Sequence, residues 1–354
     1  MNNPFSSFKS LGFDLSNFSL KIAELKKEKK ELKLTFFENF LIPEGIIEGG
    51  EIKKEKELTE ILKEVRNKIK VRDIIVSLPE EKLFLDIIQL PLMNEKELKK
   101  TIQFEIENYI PFPIEEVYFD FEKIEFISDR PKYQEILITA FSKKIIDTYL
   151  KALKNVDFQP IVLEPECFSI TRALIKKDRP SEFILILDLG ENRTGFTLFF
   201  GKNVRFTSTL PFSSRQLTKA LVEELKITFE EAEKIKKEQG IEKESQIKEI
   251  LNPFLFNLIK EIKNLLEYYS THNPKIRKQF NEISLEKILL CGGGANLKGL
   301  TEFLSSELKI KVEKGNPWIN ILKEPIKEIP ELSFEESLSY TTSLGLALQP
   351  IYGD

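Results

Sequence analysis

Two aspartates carry the first chemical signal. Asp14 follows the apolar stretch Leu11-Gly12-Phe13, Asp188 follows Phe183-Ile184-Leu185-Ile186-Leu187, and each opens a turn of small or polar residues. Backbone amides in such turns form nests that cradle phosphate oxygens. Carboxylates beside a nest suit magnesium held through its waters. Lys21 would return along the first hairpin to pair with a phosphate. Each turn taken alone reads equally well as an ordinary strand end. A third segment, Cys291-Gly292-Gly293-Gly294-Ala295, joins an apolar strand to a helix. Three successive glycines weaken a fold unless backbone must approach something closely, and an adenine-ribose-phosphate edge is such a ligand. In Ala232-Glu233-Lys234-Ile235-Lys236, Glu233 and Lys236 share a helix face. They read either as a surface ion pair or as a ribose-hydroxyl acceptor beside a charge.

Other chemistries are short of residues. The chain has 354 residues with two cysteines, Cys167 and Cys291, and one histidine, His272. A structural zinc site needs about four Cys or His ligands, and a Ser-His-Asp triad needs a placed histidine. His272 lies in a polar helix-end segment and reads as a surface residue, the cysteines as small buried hydrophobes. With 53 basic and 57 acidic residues of mixed order, the net charge of −4 is neither a nucleic-acid footprint nor an acidic tail. At 41% hydrophobic and 31% charged residues the composition is that of a globular chain, long enough for two domains. No apolar run approaches a membrane span, and the N-terminus lacks a signal-peptide pattern. The expected location is the cytoplasm.

The elements that would position these residues fall into a repeated plan. Strands near 11–15, 19–25 and 32–41 form a meander, followed by a helix over 55–69 and a strand over 73–78. A block with its own rhythm follows: a strand over 84–90, a helix from Asn94 to about Asn108, and strands over 117–126 and 135–141. A helix over 143–155 ends it. The meander then recurs at 184–190, 194–200 and 204–210, so that Asp14 and Asp188 stand at matching points of two similar units, 174 residues apart. Helices over 214–225, 228–238 and 247–270, a buried strand over 287–291, and helices reaching Leu308 and spanning 334–348 complete the chain.

This set of residues resembles the nucleotide site of the actin, heat-shock chaperone and FtsA superfamily of ATPases. The matching segments are Gly12-Phe13-Asp14 with Lys21, Asp188-Leu189-Gly190 with Thr194, Ala232-Glu233 with Lys236, and Gly292-Gly293-Gly294-Ala295. Within that superfamily the chain resembles the PilM family of type IV pilus assembly proteins. The narrower segments are Tyr109-Ile110-Pro111-Phe112-Pro113, Pro211-Phe212-Ser213-Ser214-Arg215-Gln216-Leu217-Thr218, Phe229-Glu230-Glu231-Ala232-Glu233 and Asn316-Pro317. The resemblance implies an α/β fold of two actin-like, ribonuclease H-like domains around a nucleotide cleft. The first domain would comprise residues 1–81, 161–182 and 333–354, with an inserted subdomain at 82–160. The second would comprise 183–213 and 285–332, with a helical subdomain at 214–284.

It further implies ATP and Mg2+ as cofactors. Asp14 and Asp188 would hold the metal through water, and Gly12, Ser16, Asn17, Phe18, Ser19, Lys21, Gly190, Thr194, Glu233, Lys236 and Gly292 to Ala295 would contact the nucleotide. Glu166, on the turn Leu163-Glu164-Pro165-Glu166 entering the interdomain helix, is the candidate to position water for slow hydrolysis, with Glu164 the alternative. A carboxylate at a helix start is also stabilising without any chemistry. The implied partner is the cytoplasmic N-terminal peptide of PilN, docked between the first subdomain and the insertion. Tyr109, Ile110 and Phe112 would line that groove, although a double-proline stop also seals a helix end. PilN and PilO would connect the protein, recruited to the inner face of the membrane without inserting, towards the pilus machine and its motor ATPases. One departure stands out. The family loop Asp-Ile-Gly-Ser-Ser-Ser is here Asp14-Leu15-Ser16-Asn17-Phe18-Ser19, and a serine in place of glycine weakens phosphate contact if positive φ is required there.

Two other readings compete. A sugar or acetate kinase of the superfamily needs a polar substrate pocket with a general base, and the inserted block offers no Asp-Asn-His cluster. An FtsA-like division or filament protein is expected to end in a basic amphipathic helix, whereas these residues end Leu348-Gln349-Pro350-Ile351-Tyr352-Gly353-Asp354.

Overall fold

The architecture comes from a computed structural model that describes residues 7–28, 31–124, 133–176, 182–242, 244–272, 285–323 and 329–352. The opening meander is β1 (Ser7–Leu15), β2 (Ser19–Glu28) and β3 (Glu31–Leu41), followed by a small hairpin of β4 (Ile47–Glu48) and β5 (Glu51–Ile52). Helix α1 (Glu55–Lys68) buries Leu58, Leu62 and Val65 against that sheet. Strand β6 (Asp73–Leu78) then lies parallel to β1.

The inserted block is a three-stranded antiparallel sheet of order β7-β9-β8, made by β7 (Phe84–Pro91), β8 (Val117–Ile124) and β9 (Tyr133–Ser142). Residues 125 and 126, expected in the second of these strands, lie outside the described residues. Helix α2 (Glu95–Glu105) covers the sheet with Leu98 and Ile102 and opens with a complete capping box of Asn94 and Glu97. The block meets the second domain through Arg205, whose guanidinium pairs with Glu135 at 2.5 Å with both side chains buried.

Two features differ from the sequence expectation. Helix α3 (Lys143–Lys154), placed with the insertion at 82–160, turns Tyr149, Ala152 and Leu153 into the core of the first sheet, not that of the insertion. The segment read as a turn before Glu166 ends a strand, β10 (Gln159–Pro165), which pairs in parallel with β6 and completes the order β10-β6-β1-β2-β3. Two prolines hide that strand in the sequence. As the outermost strand it leaves one side unpaired, so their missing N–H groups cost little.

Helix α4 (Glu166–Leu174) crosses to the second unit, whose meander is β11 (Phe183–Leu189), β12 (Thr194–Phe200) and β13 (Asn203–Leu210). Helices α5 (Ser214–Leu225) and α6 (Phe229–Gln239) each open with a capping box, Ser213 with Gln216 and Thr228 with Glu231, and α7 is Lys248–His272. Strand β14 (Leu285–Cys291) runs parallel to β11 and is flanked by β15 (Lys311–Lys314), giving the order β13-β12-β11-β14-β15. The glycine run enters a single 3₁₀ turn, Gly293–Asn296, and the following helix α8 starts only at Leu300 and ends at Leu308. The last helical stretch is split into α9 (Phe334–Ser337), a 3₁₀ turn and α10 (Thr341–Tyr352). The two sheets thus repeat one plan, each with an antiparallel meander and parallel strands beside its first strand.

Candidate functional site

Between the two sheets lies a cleft of about 910 Å³. The β1–β2 turn supplies Asp14, Ser16, Asn17, Phe18, Ser19 and Lys21, and the β11–β12 turn supplies Asp188, Gly190 and Arg193. Glu166 from α4, Glu233 and Lys236 from α6, and Gly292 to Gly294 complete the expected residues that face it. The cleft gathers side chains that the sequence separates by nearly its whole length.

Three expected contacts lie elsewhere. Gly12 packs under α10, where a Cβ would come 2.1 Å from the Ser343 carbonyl oxygen. Thr194 is fully buried, and its hydroxyl donates to the Phe212 carbonyl at 2.9 Å. Ala295 is fully buried in the second core. All three hold the frame of the cleft without facing it. In the insertion, Ile110 is buried and Tyr109 packs against the same core, which leaves Phe112 as the exposed aromatic of that segment. Phe104, eight residues before it and 85% exposed, had no periodic signal to mark it.

The glycine run divides its work. Gly292 has φ of +77°, and a Cβ there would lie 2.5 Å from Asp188 Oδ1. Gly294 similarly presses on the Leu189 carbonyl, at 2.9 Å. Close approach of β14 to the end of β11 therefore requires two of the three glycines without any ligand, while a Cβ at Gly293 would meet only Ser339 Cβ, at 4.0 Å. In the first turn, Ser16 keeps a negative φ. Its amide and its hydroxyl both donate to the Ser19 carbonyl, at 2.9 and 3.0 Å. The serine tightens the turn, so positive φ is not what the family glycine would supply here.

Electrostatically the cleft floor is a carboxylate cluster. Asp14 accepts from the Ser77 hydroxyl at 3.1 Å. Burial raises its pKa, opposed by Lys21 and reinforced by Asp188. Burial raises Asp188 as well, while Arg193 and Lys21 pull it back. Glu80 sits behind them almost wholly buried, with one carboxyl oxygen lacking a hydrogen-bond partner, and burial pushes its pKa well up. Glu166 is pushed up to about 7 by burial, against the attraction of Arg193. Lys21 donates to Ser19 Oγ at 2.7 Å, which holds it beside the turn.

Arginines are what the sequence reading missed. Arg193 reaches from the second domain to the first, with Nε 2.8 Å from Glu81 and Nη2 against Glu166. Arg215, at the start of α5, lies over the Phe18 ring at 4.7 Å and the Phe229 ring at 5.0 Å. It also pairs with Glu44 at 2.9 Å and Glu191 at 3.0 Å. Phe18, the bulky departure in the first loop, is thus one face of a clasp across the cleft. Lys236 is buried and donates to Ser214, Thr218 and Glu233. Burial lowers its pKa. Glu233 is held low, against burial, by hydrogen bonds from Lys236 and Thr218. Lys236 therefore anchors Glu233, which leaves the carboxylate as the polar tip for a hydroxyl-bearing ligand.

Comparison with known proteins gives the chain a family and a fold. Residues 12–351 match the family of type IV pilus assembly protein PilM. A solved PilM-PilN type IV pilus biogenesis complex is 26% identical with a TM-score of 0.79, covering 97% of this chain and 98% of that one. Ethanolamine utilization protein EutJ from Carboxydothermus hydrogenoformans shares the fold at 15% identity and TM-score 0.57, covering 98% of this chain and 91% of its own. MreB5 of Spiroplasma citri bound to ADP does so at 12% identity and TM-score 0.55, covering 98% and 99%.

Proposed function

Since the chain belongs to the PilM family of type IV pilus assembly proteins, we propose that it is an ATP-binding, actin-like scaffold that docks the N-terminal peptide of PilN. The observation that carries this reading is the cleft in which both hairpin turns, the glycine run and Glu233 converge. Nest-forming turns would take the phosphates. Glu233, oriented by Lys236, would accept from ribose hydroxyls. Asp14 and Asp188 would hold magnesium through its waters. Among the described residues no three acidic, His or Cys groups converge to ligate an ion directly, so the phosphates would complete the metal's shell. When bound, that ion would neutralise phosphate charge.

The PilN partner rests on the PilM-PilN complex, which matches along almost the whole chain. Phe112 supports a docking role for the insertion, because an exposed aromatic is a ready anchor for an extended peptide. No helix among the described residues is long and apolar enough to cross a membrane. In our reading the protein is cytoplasmic, is recruited to the inner face of the membrane by PilN and PilO, and passes nucleotide state to the motor ATPases. In this reading hydrolysis is at most slow, and without nucleotide Glu166, the residue closest to a water-positioning role, is engaged by Arg193.

Calorimetric titration with ATP and magnesium tests the reading. Wild type should bind in the micromolar range, and Asp188→Ala should weaken binding by at least ~100-fold, as expected when a charged contact is deleted from a partly dry site. Failure of the folded wild type to bind would replace this reading with a nucleotide-free adaptor.

A further inference from the structure

Arg193 ties the two domains from within the carboxylate cluster. It sits in the β11–β12 turn, its side chain 18% exposed, and extends into the first domain. Asp14, Glu80, Glu81, Glu166 and Asp188 all lie within its electrostatic reach, and Lys21 also acts on Asp14 and Asp188. In the structure its guanidinium is shared between Glu81 and Glu166. Lys21 is tied to Ser19 and Lys236 is enclosed in its own network. Among these three cations, Arg193 alone is planar and many-donored, the form suited to gripping a phosphate group with two parallel bonds. Its turn lines the same cleft as the β1–β2 turn and the glycine run, so its guanidinium borders the space that a bound polyphosphate would enter.

Resting on the nucleotide reading above, we propose that Arg193 measures the length of the bound polyphosphate. With a diphosphate in the cleft it stays on Glu81 and Glu166. The terminal phosphate of a nucleoside triphosphate competes for the same guanidinium and draws it away. That exchange frees the Glu166 carboxylate and removes the Arg193–Glu81 tie between the two domains. Arg193 is accordingly a specificity-determining residue, and the freed tie is how triphosphate and diphosphate forms of the protein would differ in domain angle.

The test compares ATP with ADP, each with magnesium, by calorimetry on wild type, Arg193→Lys and Arg193→Met. Wild type should prefer ATP by at least about tenfold, the worth of one charge-assisted contact. Arg193→Met should bring that ratio to within about twofold, and Arg193→Lys should restore part of it. Since Arg193→Met leaves the carboxylates unbalanced, Arg193→Met combined with Glu81→Gln keeps the charge and should show the same lost ratio. An unchanged ATP:ADP ratio in the folded double variant, or equal wild-type affinities for both nucleotides, overturns the proposal. Wild type that binds neither nucleotide overturns the nucleotide reading itself, a distinct result.

Discussion

The β1–β2 and β11–β12 hairpins each bring one aspartate to the cleft at the end of a central strand, yet they are held in different ways. The first closes on itself: Ser16 bonds back to Ser19, and Lys21 bonds to Ser19 in turn. It is gripped from outside, where Phe18 meets Arg215 of the second domain. The second turn closes by the equivalent backbone bond, Gly190 N to the Arg193 carbonyl at 2.9 Å. There, however, the Arg193 side chain reaches inward to the first domain. One frame used twice therefore yields two cross-domain ties of opposite sense, an aromatic clasp near the surface and a buried ionic one. Exposed cation–π contacts are worth ~1 kcal/mol, whereas an ionic tie among buried carboxylates carries a larger energy of either sign. The second hairpin should therefore dominate both stability and ligand response.

Substitutions can sharpen or break this contrast. The largest effect is expected from Gly292→Ala, which places a Cβ against Asp188 on a left-handed backbone. It should cost ~1–3 kcal/mol in chemical denaturation and displace the second hairpin while leaving the first intact. Next comes pH. Because burial holds Glu166 near 7 in the folded chain against an ordinary 4.5, the native state keeps a proton that the unfolded state releases. Its contribution is fully present below about pH 4.5 and is lost as pH rises through 7. Glu166→Gln should remove that loss, so its melting temperature should exceed wild type by more at pH 8 than at pH 5.5. Equal differences at the two pH values would place the cost of the cluster on another carboxylate.

Smaller effects belong to the first hairpin. Arg215→Ala or Phe18→Ser should speed release of a fluorescent nucleotide by about 3–10-fold, the worth of one cation–π contact, with little change in melting temperature. A larger loss of stability than in Gly292→Ala would reverse the ranking of the two ties. Ser16→Gly should be nearly silent, within about twofold in nucleotide affinity, because Ser16 already has a negative φ and the turn keeps its backbone bond to Ser19 when the hydroxyl bond, worth ~1 kcal/mol, is lost.

Much of this was readable from local pattern. Alternating or continuous apolar runs marked both meanders, and Thr228 with Glu231 and Asn94 with Glu97 marked helix starts that the structure caps as expected. The two aspartates, the glycine run and Glu233 were visible because turn chemistry and helix spacing are short-range properties. The glycine run also shows the limit of that kind of reading. Its composition signalled close approach, but whether to a ligand or to β11 depended on a neighbour about a hundred positions away.

What the sequence by itself determined, then, is the set of elements, the doubled plan and the residue types offered to the cleft, since each follows from interactions within a turn or a strand. Tertiary structure alone decided three things. It assigned α3 to the first core, because an apolar helix face does not specify which sheet will cover it. It retired Gly12, Thr194 and Ala295 from the site, because the same residue types serve packing. And it chose Arg193 and Arg215 from the 53 basic residues. Their partners Glu166 and Glu44 lie 27 and 171 positions away, and a charge acquires its meaning only when folding sets the distance and removes the water between it and its partner.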